Sequence, residues 1–204
     1  MPITGMGWEL QVQRLGIHKS GSAARTRTYG TYQAFLNGQP VAGLSGSVCE
    51  CPGPGENDTP GSQENRKRIK AGRYPLWTQF GPTYWTMGYK TSVDPPAQIP
   101  MPGLLLDEQA TRIRTGILIH PGHPDTLYIS SIGCLNLTKP LQATEDMDFV
   151  DSRSRVIAVI DSLQSFAPTA FQQGHSKPIP NAAIIVEGEP MNVLPGSVDP
   201  DAVA

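Results

Sequence analysis

Glycine and proline interrupt this chain so often that only one segment has room for a long helix. The 204 residues include 21 glycines and 20 prolines, about a fifth of the chain, a share that favours short strands joined by turns. Residues 146–166 are the exception, because apolar side chains recur there at helical spacing. These side chains are Met147, Val150, Ile157, Ile160 and Leu163. We therefore predict a mainly β (β-rich α+β) fold with one covering helix.

The N-terminal half has the alternating pattern of half-buried strands. Residues 8–15 (WELQVQRL) alternate apolar and polar side chains, and residues 28–36 continue in the same way. Asn37-Gly38 is a strong two-residue hairpin signal before residues 39–44. A meander of about three strands is expected here.

The C-terminal half contains shorter extended segments. They are predicted at residues 68–79, 84–89, 115–120, 133–137 and 182–187. The 84–89 segment is expected to pair with 68–79 across a turn at Phe80-Gly81-Pro82, and the Pro-rich stretch 94–103 is expected to be irregular. We expect one domain over residues 1–187, with its catalytic half at 68–141, and a poorly ordered tail at 188–204.

Charge and composition exclude several classes of partner. The net charge of −2 implies no general attraction to nucleic acid or to anionic membranes. No apolar run approaches the ~18 residues of a membrane span, and residues 1–10 lack the pattern of a signal peptide. The expectation is a protein made in the cytoplasm, with a leaderless route if it is exported.

The cysteines point away from a metal site or a disulfide framework. Cys49 and Cys51 form a Cys-x-Cys pair, but no second pair supplies two further ligands. We interpret the pair as small residues near a turn and expect no metal and no cofactor. Cys134 is the odd cysteine, and its neighbours suggest chemistry.

The segment 112–137 (RIRTGILIHPGHPDTLYISSIGCLNL) holds a histidine and a cysteine in a suggestive arrangement. His120 ends an apolar run, and Cys134 follows Gly133 fourteen residues later. Two neighbouring strands joined by this loop would bring imidazole and thiol together, so that the histidine takes the thiol proton. The N–H groups of Gly133 and Cys134 would then form an oxyanion hole.

This arrangement resembles the L,D-transpeptidase (YkuD-type) signature, in which a histidine precedes a Ser/Thr-His-Gly-Cys stretch. Residues 69–75 (IKAGRYP) resemble that family's Gly-x-Tyr/Phe strand. The likeness is closer still to two related groups. One comprises uncharacterised domains associated with phages or secretion, and the other comprises type VI secretion effectors with this fold. It covers residues 70–141, and implies a mixed sheet or flattened barrel.

The resemblance assigns roles residue by residue. Cys134 matches the nucleophile, His120 the base, Gly133 the oxyanion-hole glycine and Ser131 the Ser/Thr that orients the histidine. Two positions depart from the family: Ile132 replaces the histidine before the glycine, and Asn136 replaces an arginine.

Other side chains are candidates for binding substrate. Arg112 and Arg114 are expected to replace the missing arginine as carboxylate-binding groups. Further candidates for the cleft are Tyr84, Trp85, Tyr128 and His123, which is also the rival base. His18 and His175 are expected on the surface.

The activity implied by the resemblance is modification of peptidoglycan stem tetrapeptides. Transpeptidation, D-amino-acid exchange and L,D-carboxypeptidase activity all remain open. An antibacterial effector of this kind would imply a secretion apparatus and a cognate immunity protein as partners. A papain-like cysteine hydrolase is less consistent with the sequence, because it places Cys before His and on a helix. A non-catalytic binding or structural module of a phage or secretion apparatus is the alternative, since it tolerates Ile132 and Asn136.

Overall fold

The computed structural model describes residues 2–20, 25–60, 66–92, 99–172 and 174–197. Its strands are β1 (Trp8–Lys19), β2 (Thr26–Leu36), β3 (Gln39–Glu50), β4 (Gly72–Thr78), β5 (Tyr84–Trp85), β6 (Met101–Pro102), β7 (Leu104–Leu106), β8 (Leu118–His120), β9 (Leu135–Thr138) and β10 (Pro178–Glu187). The helices are α1 (Glu108–Thr111), α2 (Phe149–Phe166) and a 3-10 turn at Pro168–Ala170. The mainly β fold with one long helix is confirmed.

Eight of these strands close into a barrel in the order β1-β10-β4-β7-β8-β9-β3-β2. The pairs β1/β10 and β8/β9 are parallel, and the remaining barrel pairs are antiparallel. The predicted Asn37-Gly38 hairpin is confirmed, because Leu36 pairs with Gln39 and both turn residues have positive φ. Such φ values match the twist of a two-residue hairpin.

The core fills the barrel interior and extends to one face of α2. Alternate strand residues such as Leu10, Ile119 and Leu135 are fully buried in one apolar cluster, as expected when successive side chains point to opposite faces. Val159 and Leu163 of α2 belong to the same cluster. Asp148 caps the N-terminus of α2, because its side chain accepts a hydrogen bond from the Asp151 N–H.

Two local predictions are confirmed only in part. The expected pairing across the Phe80-Gly81-Pro82 turn is present as an antiparallel bridge between Phe80 and Trp85, with a hydrogen bond from the Thr86 N–H to the Gln79 carbonyl. Tyr84 and Trp85 also pair in parallel with Met101 and Pro102, which was not expected. The stretch expected to be irregular therefore contains β6, while its residues 94–98 lie outside the described ranges.

The stretch after β10, which we expected to be poorly ordered, returns to the barrel over residues 188–197. Glu189 binds the guanidinium groups of Arg14 and Arg68, and Ile17 forms a bridge with Val193. Residues 198–204 lie outside the described part of the chain. The segment is held by the Glu189 ion pairs and by a backbone bridge, and a pattern of hydrophobic residues does not predict either kind of contact.

His18 is buried in the structure rather than exposed on the surface. We expected a surface residue, but His18 is 4% exposed and stacks on Tyr29 with 4.2 Å between ring centroids. Burial and the neighbouring Arg27 charge lower the pKa of His18 to about 4. The ring is therefore neutral at neutral pH.

In the described ranges, no helix is both long and apolar enough to cross a membrane.

Candidate functional site

The two parallel strands β8 and β9 bring the predicted histidine and cysteine to one region of the barrel wall. Ile119 pairs with Leu135, and His120 pairs with Asn136. Ile119 and Leu135 belong to the interior cluster, whereas Leu118 and Cys134 belong to a separate apolar cluster with Leu105. Because side chains alternate along a strand, Leu118, His120 and Cys134 lie on the outer face of the barrel.

A cavity of about 610 Å³ lies against this face, within the usual size range of ligand sites. Both His120 and Cys134 are on its wall. The other wall residues are Arg25, Thr26, Cys51, Pro52, Arg66, Tyr84, Gly116, Leu118, His123, Thr126, Ile129, Ser130, Ser131 and Ile132.

His120 has the tautomer and protonation state of a general base. Its Nδ1 lies 2.7 Å from the Pro121 carbonyl oxygen, and a carbonyl only accepts, so we assign the ring proton to Nδ1. The lone pair is then on Nε2. His120 is 3% exposed, and its ring packs on Tyr84 at 4.5 Å between centroids. Burial lowers the pKa of His120 to about 4, so the imidazole is neutral at neutral pH.

Cys134 is a neutral thiol in this state. Burial raises its pKa to about 11, although a backbone N–H donor opposes that shift. The Leu118 N–H points at Cys134 Sγ at 3.4 Å, and the thiol lies 3.7 Å from the Gly116 carbonyl oxygen. Over the described residues, no hydrogen bond joins this thiol to His120. Cys134 and His120 share a cavity without forming a thiolate–imidazolium pair.

Ser131 organises the loop before Cys134 rather than the histidine. Its hydroxyl donates to the Cys134 carbonyl at 2.7 Å and accepts from the Gly133 N–H at 2.8 Å. The expectation that Ser131 orients the histidine through its carbonyl or its hydroxyl is not supported in this state, because the hydroxyl is bonded within its own loop and the carbonyl accepts from the Cys51 thiol. The Gly133 N–H must leave Ser131 before it can stabilise an oxyanion.

Gly133 also permits close packing of a buried arginine beneath the loop. Its φ of +151° is one that side chains rarely adopt, and a Cβ there would lie 2.2 Å from Arg114 Nη2. Arg114 is fully buried and donates to the carbonyls of Glu56, Lys67 and Ile132. Arg114 is therefore a structural residue, contrary to our expectation that it binds substrate.

The other predicted binding residues divide into two groups. Tyr84 and His123 line the cavity, as expected of cleft residues. Arg112, Trp85 and Tyr128 are not among the described residues on its wall.

Each of these three residues makes contacts outside the cavity. Arg112 is exposed and forms an ion pair with Asp58. Trp85 stacks on Phe80 at 4.6 Å. Tyr128 is 2% exposed, and its hydroxyl donates to the Ala143 carbonyl. Their expected contact with substrate is therefore not supported.

Several residues at or beside the cavity were not selected as site residues from the sequence, and four of them bear on its chemistry. Asn136 is fully buried, and its Nδ2 donates to the His120 carbonyl at 3.1 Å. The Cys51 thiol donates to the Ser131 carbonyl at 3.0 Å, and burial raises its pKa to about 11. The third and fourth are Arg25 and Arg66.

The position of Cys51 follows from strand register. Cys49 pairs with Asn136 across β3 and β9, so Cys51, two residues further along, lies on the same side of the wall as Cys49. The pair Cys49-x-Cys51 is thus a strand end rather than an isolated turn. Within the described ranges, no group of three or more His, Cys, Asp or Glu side chains is placed to hold a metal ion.

Comparison with known proteins found no matching family model, no matching curated protein and no matching solved structure.

Proposed function

We propose that this cavity is the active site of a cysteine enzyme that modifies peptidoglycan stem tetrapeptides. The observation that supports the proposal is the placement of a neutral His120 at the end of β8 and of Cys134 directly before the adjacent parallel strand β9, both lining one cavity. The resemblance of residues 70–141 to L,D-transpeptidases supplies the substrate class and the reaction. Transpeptidation, D-amino-acid exchange and L,D-carboxypeptidase activity share the same first half-reaction.

In that half-reaction Cys134 Sγ bonds to the carbonyl carbon of the third residue of the stem, while His120 Nε2 takes the thiol proton. The Pro121 carbonyl accepts from Nδ1–H, so it stabilises the imidazolium that forms. The Cys134 N–H, with the Gly133 N–H once it is released by Ser131, stabilises the oxyanion. The carbon–nitrogen bond then breaks, and the departing D-alanine amine takes the proton from His120.

The resulting thioester reacts with an amine or with water. An amine gives a cross-link or an exchanged D-amino acid, and water gives a shortened stem peptide. His120 takes the proton from the second nucleophile and returns it to the Cys134 thiolate. The high pKa of the Cys134 thiol implies slow reaction with ordinary alkylating agents, because only the thiolate is strongly nucleophilic.

We extend the proposal to biological context on the resemblance alone. A protein made in the cytoplasm and delivered to the periplasm by a type VI secretion apparatus would act there as an antibacterial toxin, neutralised by a cognate immunity protein. Expression with and without a periplasmic targeting sequence tests this role. Growth arrest should require both export and Cys134.

One observation favours the alternative of a non-catalytic binding module of a phage or secretion apparatus. The Cys134 thiol is buried, protonated and not hydrogen-bonded to His120 within the described residues. A cavity that only binds peptide needs no activated thiol. This module would bind stem peptides without forming a covalent intermediate.

Intact-mass measurement after incubation with a carbapenem separates the two functions, because carbapenems acylate the cysteine of L,D-transpeptidases. The enzyme should gain one drug mass on the native protein and on Cys51→Ala, but none on Cys134→Ala. Cys51→Ala is a matched control, since it removes another buried thiol from the same cavity. Absence of an adduct on native protein, with stem peptides left unchanged, would instead identify the binding module.

A further inference from the structure

Two arginines give the cavity wall a positive charge. Arg25 lies just before β2 and Arg66 lies before β4, and both line the cavity with Cys134 and His120. No aspartate or glutamate is among the described residues of that wall. Both arginines lie outside the segment 70–141 that carries the family resemblance.

The contacts of Arg25 leave it available to a ligand. Its guanidinium lies 3.0 Å from Asp146, with side-chain exposures of 43% and 48%. Exposed pairs of this kind contribute little to stability, so a better placed carboxylate can replace Asp146. The same guanidinium stacks over Tyr128 at 4.5 Å from the ring centroid, which limits its conformations and reduces the entropy lost on binding.

Arg66 is held at the wall through its backbone. Its carbonyl accepts from the Gly53 N–H at 3.3 Å, beside Pro52 on the wall. The arginines expected to bind carboxylate are committed elsewhere: Arg114 to backbone carbonyls and Arg112 to Asp58. The arginines on the described part of the cavity wall are therefore Arg25 and Arg66 rather than the two that were expected.

We propose that Arg25 and Arg66 form a carboxylate-binding subsite, through which the cavity selects acidic peptides. The assignment of that peptide to the bond attacked by Cys134 rests on the proposed function. Guanidinium groups bind carboxylates through paired, charge-assisted hydrogen bonds. The substrate is accordingly a stem peptide with a free side carboxylate, and its carboxamide form is a poor ligand.

Calorimetric titration with Cys134→Ala protein tests the subsite without catalysis. The probes are a stem tetrapeptide with free side carboxylates and the same peptide with these groups amidated. Arg25→Gln and Arg66→Gln should each weaken binding of the acid about tenfold and leave the amide nearly unchanged. Arg112→Gln is the matched control, because it removes an exposed arginine outside the cavity wall. Arg25→Lys, which keeps the charge, should recover part of the loss and excludes a folding defect.

The outcomes separate this subsite from the proposed chemistry. Equal binding of acid and amide, equal losses in Arg112→Gln, or no binding of either peptide would overturn the subsite. A carbapenem adduct on Cys134 together with any of those results would leave the enzyme proposal standing. Carboxylate-dependent binding without an adduct or turnover would support the subsite and reject the enzyme.

Discussion

Acidification should destabilise the fold through its two buried neutral histidines. The pKa values of His120 and His18 are both about 4, whereas that of an unfolded histidine is about 6.5. Between these values the unfolded chain binds a proton that the folded chain does not. Each histidine therefore contributes stability that is fully present above about pH 6.5 and is lost as the pH falls towards 4.

The magnitude follows from the two pKa values. At pH 5.5 an unfolded histidine is mostly protonated and the folded one is mostly neutral, so the free energy of unfolding changes by about 1.2 kcal/mol per pH unit for each histidine. The loss between neutral pH and pH 5.5 is about 1.4 kcal/mol each, or about 2.8 kcal/mol for both. Carboxylates contribute little in this window because their usual pKa values are near 4.

Urea unfolding at pH 7.5, 6.5 and 5.5 measures this dependence. His120→Gln should be less stable than the native protein at pH 7.5. As the pH is lowered, however, its free energy of unfolding should fall with about half of the native slope. His175→Gln is the matched control, because His175 is exposed. A slope for His120→Gln equal to the native slope would refute the assignment of a buried, neutral base.

Three further variants test the packing around the site by urea unfolding. Gly133→Ala should lower the free energy of unfolding by about 3 kcal/mol, because a Cβ at position 133 would displace the Arg114 guanidinium and the positive φ there is unfavourable for a side chain. A change within 0.5 kcal/mol would contradict that geometry. Arg114→Met should lose about 4 kcal/mol, since three carbonyls lose their buried donor; tolerance of this change would show that water or another donor replaces the guanidinium. Glu189→Gln should lose only about 1 kcal/mol, because the carboxylate that binds Arg14 and Arg68 is partly exposed; faster amide exchange confined to residues 188–197 is the expected signature, and unchanged exchange would indicate that other contacts hold the segment.

The sequence predicts those parts of the fold that depend on local patterns. Alternation places β1 and β2, the Asn37-Gly38 pair places their hairpin with β3, and helical spacing places α2. The adjacency of the His120 and Cys134 strands was also predictable, because a histidine ending one apolar run and a glycine–cysteine opening another suggest neighbouring strand ends.

The cavity wall depends on contacts between distant segments, and that is where prediction from sequence fails. Arg112 and Arg114 are two residues apart, yet one faces solvent and the other is buried. The positive φ of Arg112 at the end of α1 has no local signal. Arg25 and Arg66 lie on the cavity wall because the barrel closes. A pattern of neighbouring residues in the sequence does not predict that closure.

The parallel pairing of β1 with β10 has a consequence for how the protein is made. Trp8 pairs with Ala182, so this seam of the barrel joins residues that are far apart in the sequence. Bringing such distant residues together is entropically costly and slow. The ribosome must therefore have synthesised the chain through β10 before the barrel closes. We expect the wall that holds Arg25, His120 and Cys134 to form in one late, cooperative step, so that incomplete chains carry no working site.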